Sequence, residues 1–518
     1  MSLLLDWDLL PLAVVFSSFL PGIAIMFLRE EQSGIRTALN LAGAVAKLVL
    51  VGFMLQGVGA GVVYEWRLQV LPGLELSLVG DALALLFVTL SAVLWLVTTV
   101  YAIGYLEGSP NRTRFFSFFS LCVTATTGIA LAGDLFTFVF FFEALTWATY
   151  PLVVHRGTPE AIRAGRLYLV YTLGAGAALV LGAVWFQVET GTVAFAQGGA
   201  VLPAEAAAAP GRYLALFLLL LAGVGVKAAF FPFHGWLPIA MVAPAPVSAL
   251  LHAVAVVKAG AFGVVRLIHS LFGVEVATEV GGAGVVAALA AFTILYGSIQ
   301  ALRQDDLKRL LAFSTVSQLS YIALGVALIA PLAQVGGLVH LIHQGILKIT
   351  LFFCAGLLAE TLGVKKVSAM AGIARRMPFT MLAFVVAALG MIGIPPTPGF
   401  ISKWYLGVGA LEAGAGWVVP VLLASSLLNA AYFLPVIRTA YLDEPHESWV
   451  EDPRRAVNPE APRARGFGAR GLARLEAHPF LLLPTLAVAL LALATGLLAG
   501  SPWSPLGWAE LIVARGIQ

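Results

Sequence analysis

The chain has 518 residues, 60% of them hydrophobic and only 11% charged, with a mean hydropathy of +0.95. Soluble domains carry about 25% charged residues, so this composition excludes a soluble enzyme and identifies an integral membrane protein. A net charge of +3, with no basic run interleaved with aromatics, also argues against a nucleic-acid partner.

A helix needs about 20 apolar residues to cross a hydrocarbon core, whereas barrel strands are about half as long and alternate apolar with polar. The runs in this chain have the helical length, so the fold class expected is an all-α integral membrane protein with about fourteen transmembrane helices. The first seven spans fall at about 9–28, 37–56, 82–103, 116–133, 135–155, 165–187 and 213–237. The remaining seven fall at about 246–268, 283–302, 309–330, 333–361, 378–412, 416–437 and 479–499. Prolines interrupt the seventh span, at Pro232, and the twelfth, at Pro395, Pro396 and Pro398. Backbone groups freed by such a break cannot be satisfied by lipid, so both breaks should line a protein-enclosed cavity.

With the N-terminus outside, the inner loops collect most of the basic residues, and only Arg67, Arg212, Arg266 and Arg515 fall on the outer side. This asymmetry predicts a multi-pass protein of the cell membrane with both termini on the outer side. The polar stretch Leu442–Ala477 reads as an irregular cytoplasmic loop with one short interfacial helix, and the tail after Pro502 as lying along the outer surface. The acidic start MSLLLDWD does not read as a cleavable signal peptide, and Cys122 and Cys354, both within spans, are expected to form no disulfide. GVGAG at 57–61 lacks the strand of a dinucleotide fingerprint, and no P-loop, HExxH or GxSxG occurs, so no cofactor site is expected.

The two interrupted spans stand five apart in order, so a block of five helices and its successor enter the membrane from opposite sides. That is the placement of two inverted five-helix repeats, and paired broken helices point to a transport site.

The charged residues inside spans sharpen this pointer. They are Lys47, Glu143, Lys227, Lys258, Lys348 and Lys403. At about 3 kcal/mol each, such groups would together cost on the order of 15–20 kcal/mol unpaired, beyond the net stability of a typical domain. Glu143 is the one acid at mid-membrane depth, and an ion pair with Lys227 is expected. If Glu143 withdraws, desolvation favours release of the lysine's proton, which makes the pair switchable. His252 and Lys258 follow in the next span, and His340, His343 and Lys348 lie in HLIHQGILK, with positions 340 and 348 two turns apart on one face. Lys403 follows GIPPTPGFIS as the second-half counterpart of Lys227, whereas Lys47 has no motif around it. Lysine and histidine are the side chains whose protonation burial can tune for a relay. No cysteine or carboxylate joins the histidines at ligand spacing, so no metal site is expected.

The motifs FFEALTWATYPLV, KAAFFPFHGWLPIAMVAPAPVSALLHAVAVVKAG, DLKRLLAFSTVSQLSYIALG, HQGILKITLFFCAG and IPPTPGFISKW resemble the proton-translocating, antiporter-like membrane subunits. That family is shared by Mrp-type cation/proton antiporters, respiratory complex I and membrane-bound hydrogenases, and the resemblance covers roughly residues 75–440. It implies fourteen helices, with broken helices 7 and 12 and inverted repeats over helices 4–8 and 9–13. It also implies functional roles for Glu143, Lys227, Lys258 and Lys403, with Lys308 and Ser314–Gln318 matching a motif that looks structural. The expected organisation is an N-terminal three-helix segment at 1–110, repeats at 111–270 and 271–440, a cytoplasmic loop at 441–478, and a last helix and tail at 479–518. Length and the wording GDLFTFVFFFEAL resemble the D-type members of Mrp antiporters, which implies a proton-conducting subunit of a Na⁺/H⁺ antiporter, with other membrane subunits as partners. The alternatives are a proton-pumping subunit of a complex I-like or hydrogenase-linked redox complex and a membrane scaffold of an inorganic-carbon uptake complex.

Overall fold

The computed structural model describes residues 7–71, 74–445 and 476–516. Helices α1 (Leu10–Met26) and α2 (Ser33–Gly59) lead into a hairpin of β1 (Tyr64–Leu71) and β2 (Leu74–Gly80). Next come α3 (Ala82–Tyr105), α4 (Arg112–Leu131), α5 (Leu135–Val153) and α6 (Pro159–Thr190). A broken crossing follows, α7 (Pro210–Lys227) and the short α8 (Phe233–Val242), then α9 (Ala245–Phe272). The second half runs through α10 (Gly282–Leu302), α11 (Leu307–Ala327) and α12 (Pro331–Leu362). A second broken crossing, α13 (Pro378–Ile392) and α14 (Pro398–Glu412), is followed by α15 (Val418–Leu442), α16 (Pro479–Leu497) and α17 (Pro505–Ala514).

Twelve of these helices are long and apolar enough to cross a membrane. The 17-residue α1 and the split pair α13 and α14 bring the crossings to the expected fourteen. Local chemistry starts the helices where they start. Asp81, Asp134, Thr158 and Asp306 each accept a bond from a first-turn N–H, satisfying a donor that the helix itself cannot. Remote carboxylates cap two others: Glu30 accepts from the amides of Arg112 and Thr113, and Glu476 from those of Phe379 and Thr380. Both place a negative charge at the positive end of a helix dipole.

Two helices form the core. α9 and α12 are buried along their whole apolar length, whereas only a third of α2, α6 and α15 is. In a membrane such a gradient separates helices that meet only protein from those that meet lipid or a partner.

Three features depart from the expectation. The hairpin β1–β2 was not anticipated, although YEWRLQVL and LELSLVG have strand composition; it docks on the α4–α5 turn, where the Gly133 amide donates to Ser77 O at 2.9 Å. Arg266, expected in an outer loop, is buried, because α9 continues to Phe272; its charge is met by Asp81 at 2.9 Å. The tail beyond Pro502, expected only to lie along the outer surface, is helical. It forms α17, whose Trp508 indole donates to Ala82 O at 2.8 Å, and Arg515 beyond it reaches Val58 O at 2.6 Å. Most of the stretch expected as a cytoplasmic loop lies outside the described residues.

Candidate functional site

Each break in the helical ladder sets up one lysine. α7 stops at Lys227 because Ala229 takes a left-handed φ of +57° and Pro232 follows. Carbonyls left open there are taken by neighbours: the Trp236 indole donates to Val226 O at 2.8 Å. Lys227 is fully buried at this end, and its ammonium donates to the Phe142 carbonyl and lies 3.6 Å from the Phe142 ring centroid. The expected ion pair with Glu143 is not formed. Glu143 is half-buried and directs its carboxyl to α6, where a side chain at Gly176 would place its Cβ 2.6 Å from the carboxyl carbon. One carboxylate oxygen, Oε1, has no hydrogen-bond partner. α9 crosses directly over the break, since a Cβ at Gly260 would fall on the backbone of Lys227 and Ala228.

From this point the row advances one helix at a time. Lys258, two residues before Gly260, is fully buried and donates to Leu341 O of α12 at 2.7 Å. His340, adjacent to that carbonyl, shares a 2.8 Å hydrogen bond with Ser402 of α14. Lys403 is the next residue in that helix. Its ammonium donates to Met391 O at 3.0 Å, Ile392 O at 2.8 Å and Ser426 Oγ at 3.0 Å. Two of these acceptors are carbonyls left open at the end of α13, so the lysine caps the helix that the prolines interrupt. Lys403 is only partly buried, unlike Lys227, Lys258 and Lys348.

A second connection reaches Lys403 through side chains that sequence reasoning missed. Lys348 donates to Ser314 Oγ at 2.7 Å, and the Tyr432 hydroxyl bridges Ser314, at 2.9 Å, and the Asn429 amide oxygen. Asn429 Nδ2 in turn donates to Met391 O, the carbonyl that Lys403 also holds, at 3.1 Å. Ser314, matched only to a structural motif, is thus a link between Lys348 and Lys403. Its one warning was its place beside Lys308 in DLKRLLAFS. Tyr432 and Asn429 stand in NAAYF without any signal.

The remaining candidates divide. His340 and Lys348 were expected on one working face of α12, yet they address different neighbours, α14 and α11. Eight residues turn about 800° on a helix, enough to separate their directions once each side chain extends to a partner. His343 lies deep beside the Pro398 backbone. His252 sits on a wide, π-type turn at Leu250–Val254 and packs at a tilt against Phe352 with ring centroids 4.5 Å apart; neither ring nitrogen is hydrogen-bonded. Lys47 is fully buried among α1, α3 and α4 and makes no contact with the row. No group of three or more His, Cys, Asp or Glu side chains able to hold a metal occurs among the described residues.

Residues 132–429, which hold every member of the row, match the family model described as NADH:quinone oxidoreductase/Mrp antiporter, TM. The chain is 38% identical to NADH-quinone oxidoreductase subunit N of Desulforudis audaxviator, over 94% of each chain. It is 27% identical to the D component of a Na(+)/H(+) antiporter of Bacillus subtilis, over 83% of this chain and 86% of that one. Among solved structures, a chain of the Mrp complex from Dietzia superposes with a TM-score of 0.82 at 25% identity, over 99% of this chain and 98% of that one.

Proposed function

Since the chain belongs to the NADH:quinone oxidoreductase/Mrp antiporter membrane family, we propose that it conducts protons as an antiporter-like subunit of a multisubunit membrane complex. The observation that carries this reading is the stepwise row. Lys227 lies under α9, Lys258 reaches the carbonyl beside His340, and His340 reaches the serine beside Lys403. The first step brings Lys227 under the helix that carries Lys258, and the next two join a side chain to the immediate neighbour of the following one, across the two wholly buried helices α9 and α12. Side chains that change protonation, set among carbonyls and hydroxyls at hydrogen-bond distance, are the components of a proton relay.

In this reading Glu143 and Lys227 are the switch. With Glu143 turned to Gly176, the Lys227 ammonium keeps a carbonyl and an aromatic face but no carboxylate, so its proton is held less firmly than when Glu143 faces it. Return of Glu143 would hold the proton on Lys227. These steps use the chain's own side chains alone; the chain translocates ions, and any redox chemistry belongs to partner subunits.

Of the possible assemblies, a redox-driven complex is favoured by the 38% identity that runs end to end with a quinone oxidoreductase subunit. Cation/proton antiport is the second reading, favoured by the fit of nearly the whole fold to an Mrp subunit. Glu143→Ala and Lys227→Ala are expected to abolish proton transport in membrane vesicles while the partner subunits still co-purify. Wild-type transport in either variant would refute the row. Co-purified iron–sulfur and quinone-site subunits, as against small membrane subunits alone, would decide the assembly.

A further inference from the structure

Away from the row, one face of α3 is left without a helix. α2 and α16 both pack on α3 but scarcely meet each other, and α12 lies behind the gap. The gap is a cleft of about 500 Å³. Leu55 of α2 stands on one side of it, Leu491 and Ala494 of α16 on the other, and Ile342 and Ile346 of α12 at the back. Leu498, at the rim, and its neighbours Leu490 and Leu497 are 64–67% exposed, so the cleft gives onto the lipid-facing side of α16. The turn at Ser501–Ser504 and the start of α17 roof it, on the membrane face opposite the arginine-rich loops.

The walls offer a guest almost no polar handle. Thr495 donates to Ala492 O at 2.9 Å and Ser504 to Ala499 O at 2.6 Å, while the Trp508 indole is taken by Ala82 O. Ser501 accepts from the Trp503 amide, which leaves Thr89 Oγ1 as the lining hydroxyl without a hydrogen bond. Protein interiors hold few voids larger than a water molecule, and lipid tails are as apolar as leucine, so this space suits hydrocarbon. Its depth selects the kind. Along α3 the lining runs from Leu85 to Leu94, nine residues or about 14 Å at 1.5 Å each. That is half of a hydrocarbon core about 30 Å thick, the reach of one leaflet. Trp503, 74% exposed at the roof, stands where interfacial tryptophans sit, at headgroup level.

The back of the cleft bears on the core helices. A Cβ at Gly345 of α12 would lie 3.0 Å from Leu90 Cδ2 and 3.1 Å from Ala253 O of α9. Leu90 therefore separates the cleft from the place where α9 and α12 touch, one residue from His252 and two from His343.

We propose that the cleft between α2, α3 and α16 is a site for one phospholipid acyl chain, taken from the leaflet opposite the arginine-rich loops. The headgroup stays at the Ser501–Trp503 turn and the chain end reaches Leu90 and Ile346. The chain fills the position of a missing helix and backs Leu90 against the contact of α9 and α12. This inference does not depend on how the row moves protons.

The test uses the native assembly reconstituted with phosphatidylcholine that carries a photoreactive diazirine on one acyl chain, with marked residues mapped by mass spectrometry. A diazirine at the chain end should mark Leu90 and Ile346, which are only 4% and 3% exposed and so lie beyond a lipid that merely passes along the surface. A diazirine near the headgroup should mark Trp503 and Pro505 instead. Leu490, on the lipid-facing side of α16, is the control for surface lipid. Ala494→Trp places protein atoms in the cleft and should lose the marks at Leu90 and Ile346 while keeping that at Leu490. Marking of Leu490 without Leu90 or Ile346 in the unaltered protein would overturn the proposal, and this measurement needs no variant to fold. The reverse order of marks, or undiminished marking in Ala494→Trp, would overturn it too. Loss of the marks to added long-tailed quinone but not to excess unlabelled phospholipid would assign the cleft to quinone and equally overturn it.

Discussion

The two broken crossings use the same residue type in opposite ways. At the first, Lys227 is the last residue before the break, and its ammonium leaves its own helix for the Phe142 carbonyl of α5. At the second, Lys403 follows the break and turns back to hold the open carbonyls of Met391 and Ile392. An acid stands beside the first lysine's contact, at Glu143; only a hydroxyl, Ser426, stands beside the second. A cation at a helix C-terminus is stabilised by the dipole and by charge-assisted hydrogen bonds. Lys403 is thus bound into its break, whereas Lys227 depends on a carboxylate that can move. The first half is built to switch and the second to receive.

This contrast can be broken most sharply at Lys227. Lys227→Ala should reduce proton transport by two or more orders of magnitude, about the contribution of a positioned proton-transfer group, without altering subunit composition. Glu143→Gln, which keeps shape and removes charge, should do nearly the same. Comparable residual rates in Glu143→Gln and wild type would show that the first lysine needs no acid and would dissolve the comparison.

Gly260→Val comes next. Its side chain would fall on the Lys227–Ala228 backbone, so a loss of about 1–3 kcal/mol is expected from overpacking, read as a lower melting temperature of the purified complex, with transport lost as Lys227 is displaced. Lys403→Ala probes the capping role. Removing three hydrogen bonds from an ammonium should cost about 1.5–3 kcal/mol of thermal stability, an effect that Lys227→Ala should not match. Equal stability losses in the two alanine variants would erase the distinction between switch and receiver.

Tyr432→Phe keeps the ring that packs on Phe433 and deletes the hydroxyl between Ser314 and Asn429. A several-fold slower rate is expected, because the direct route through His340 and Ser402 remains; an unchanged rate would assign Tyr432 to packing alone. The smallest effect lies outside the spans. Burial, with Arg114 and Arg156 nearby, pushes His155 down to about 4, so the folded protein holds it neutral. Its contribution to stability is full above the ordinary histidine value of about 6.5 and is lost as pH falls toward 4. His155→Phe should flatten that slope in melting temperature against pH, leaving the neutral-pH value little changed.

Much of the molecule was legible in the chain because its signals are local. A run of apolar residues long enough to cross a bilayer, a proline inside it and a lysine beside the proline are read without knowing any neighbour, and they pointed to fourteen crossings, both breaks and the lysines of the proposed row, though not to Ser402. The choice of partner was not local. Lys227, Lys258 and Lys403 bind backbone carbonyls, which every residue possesses, so no residue type marks the acceptor. Ser314, Tyr432 and Asn429 became a connection only when α11 and α15 were laid against α12 and α13. Arg266 moved from a loop to a buried pair because α9 runs on to Phe272 and meets Asp81. The sequence by itself determined where charge enters the membrane and where helices must break. Only the tertiary structure decided which groups satisfy that charge, because hydrogen bonds reach about 3 Å across helices whose contacts no local pattern encodes.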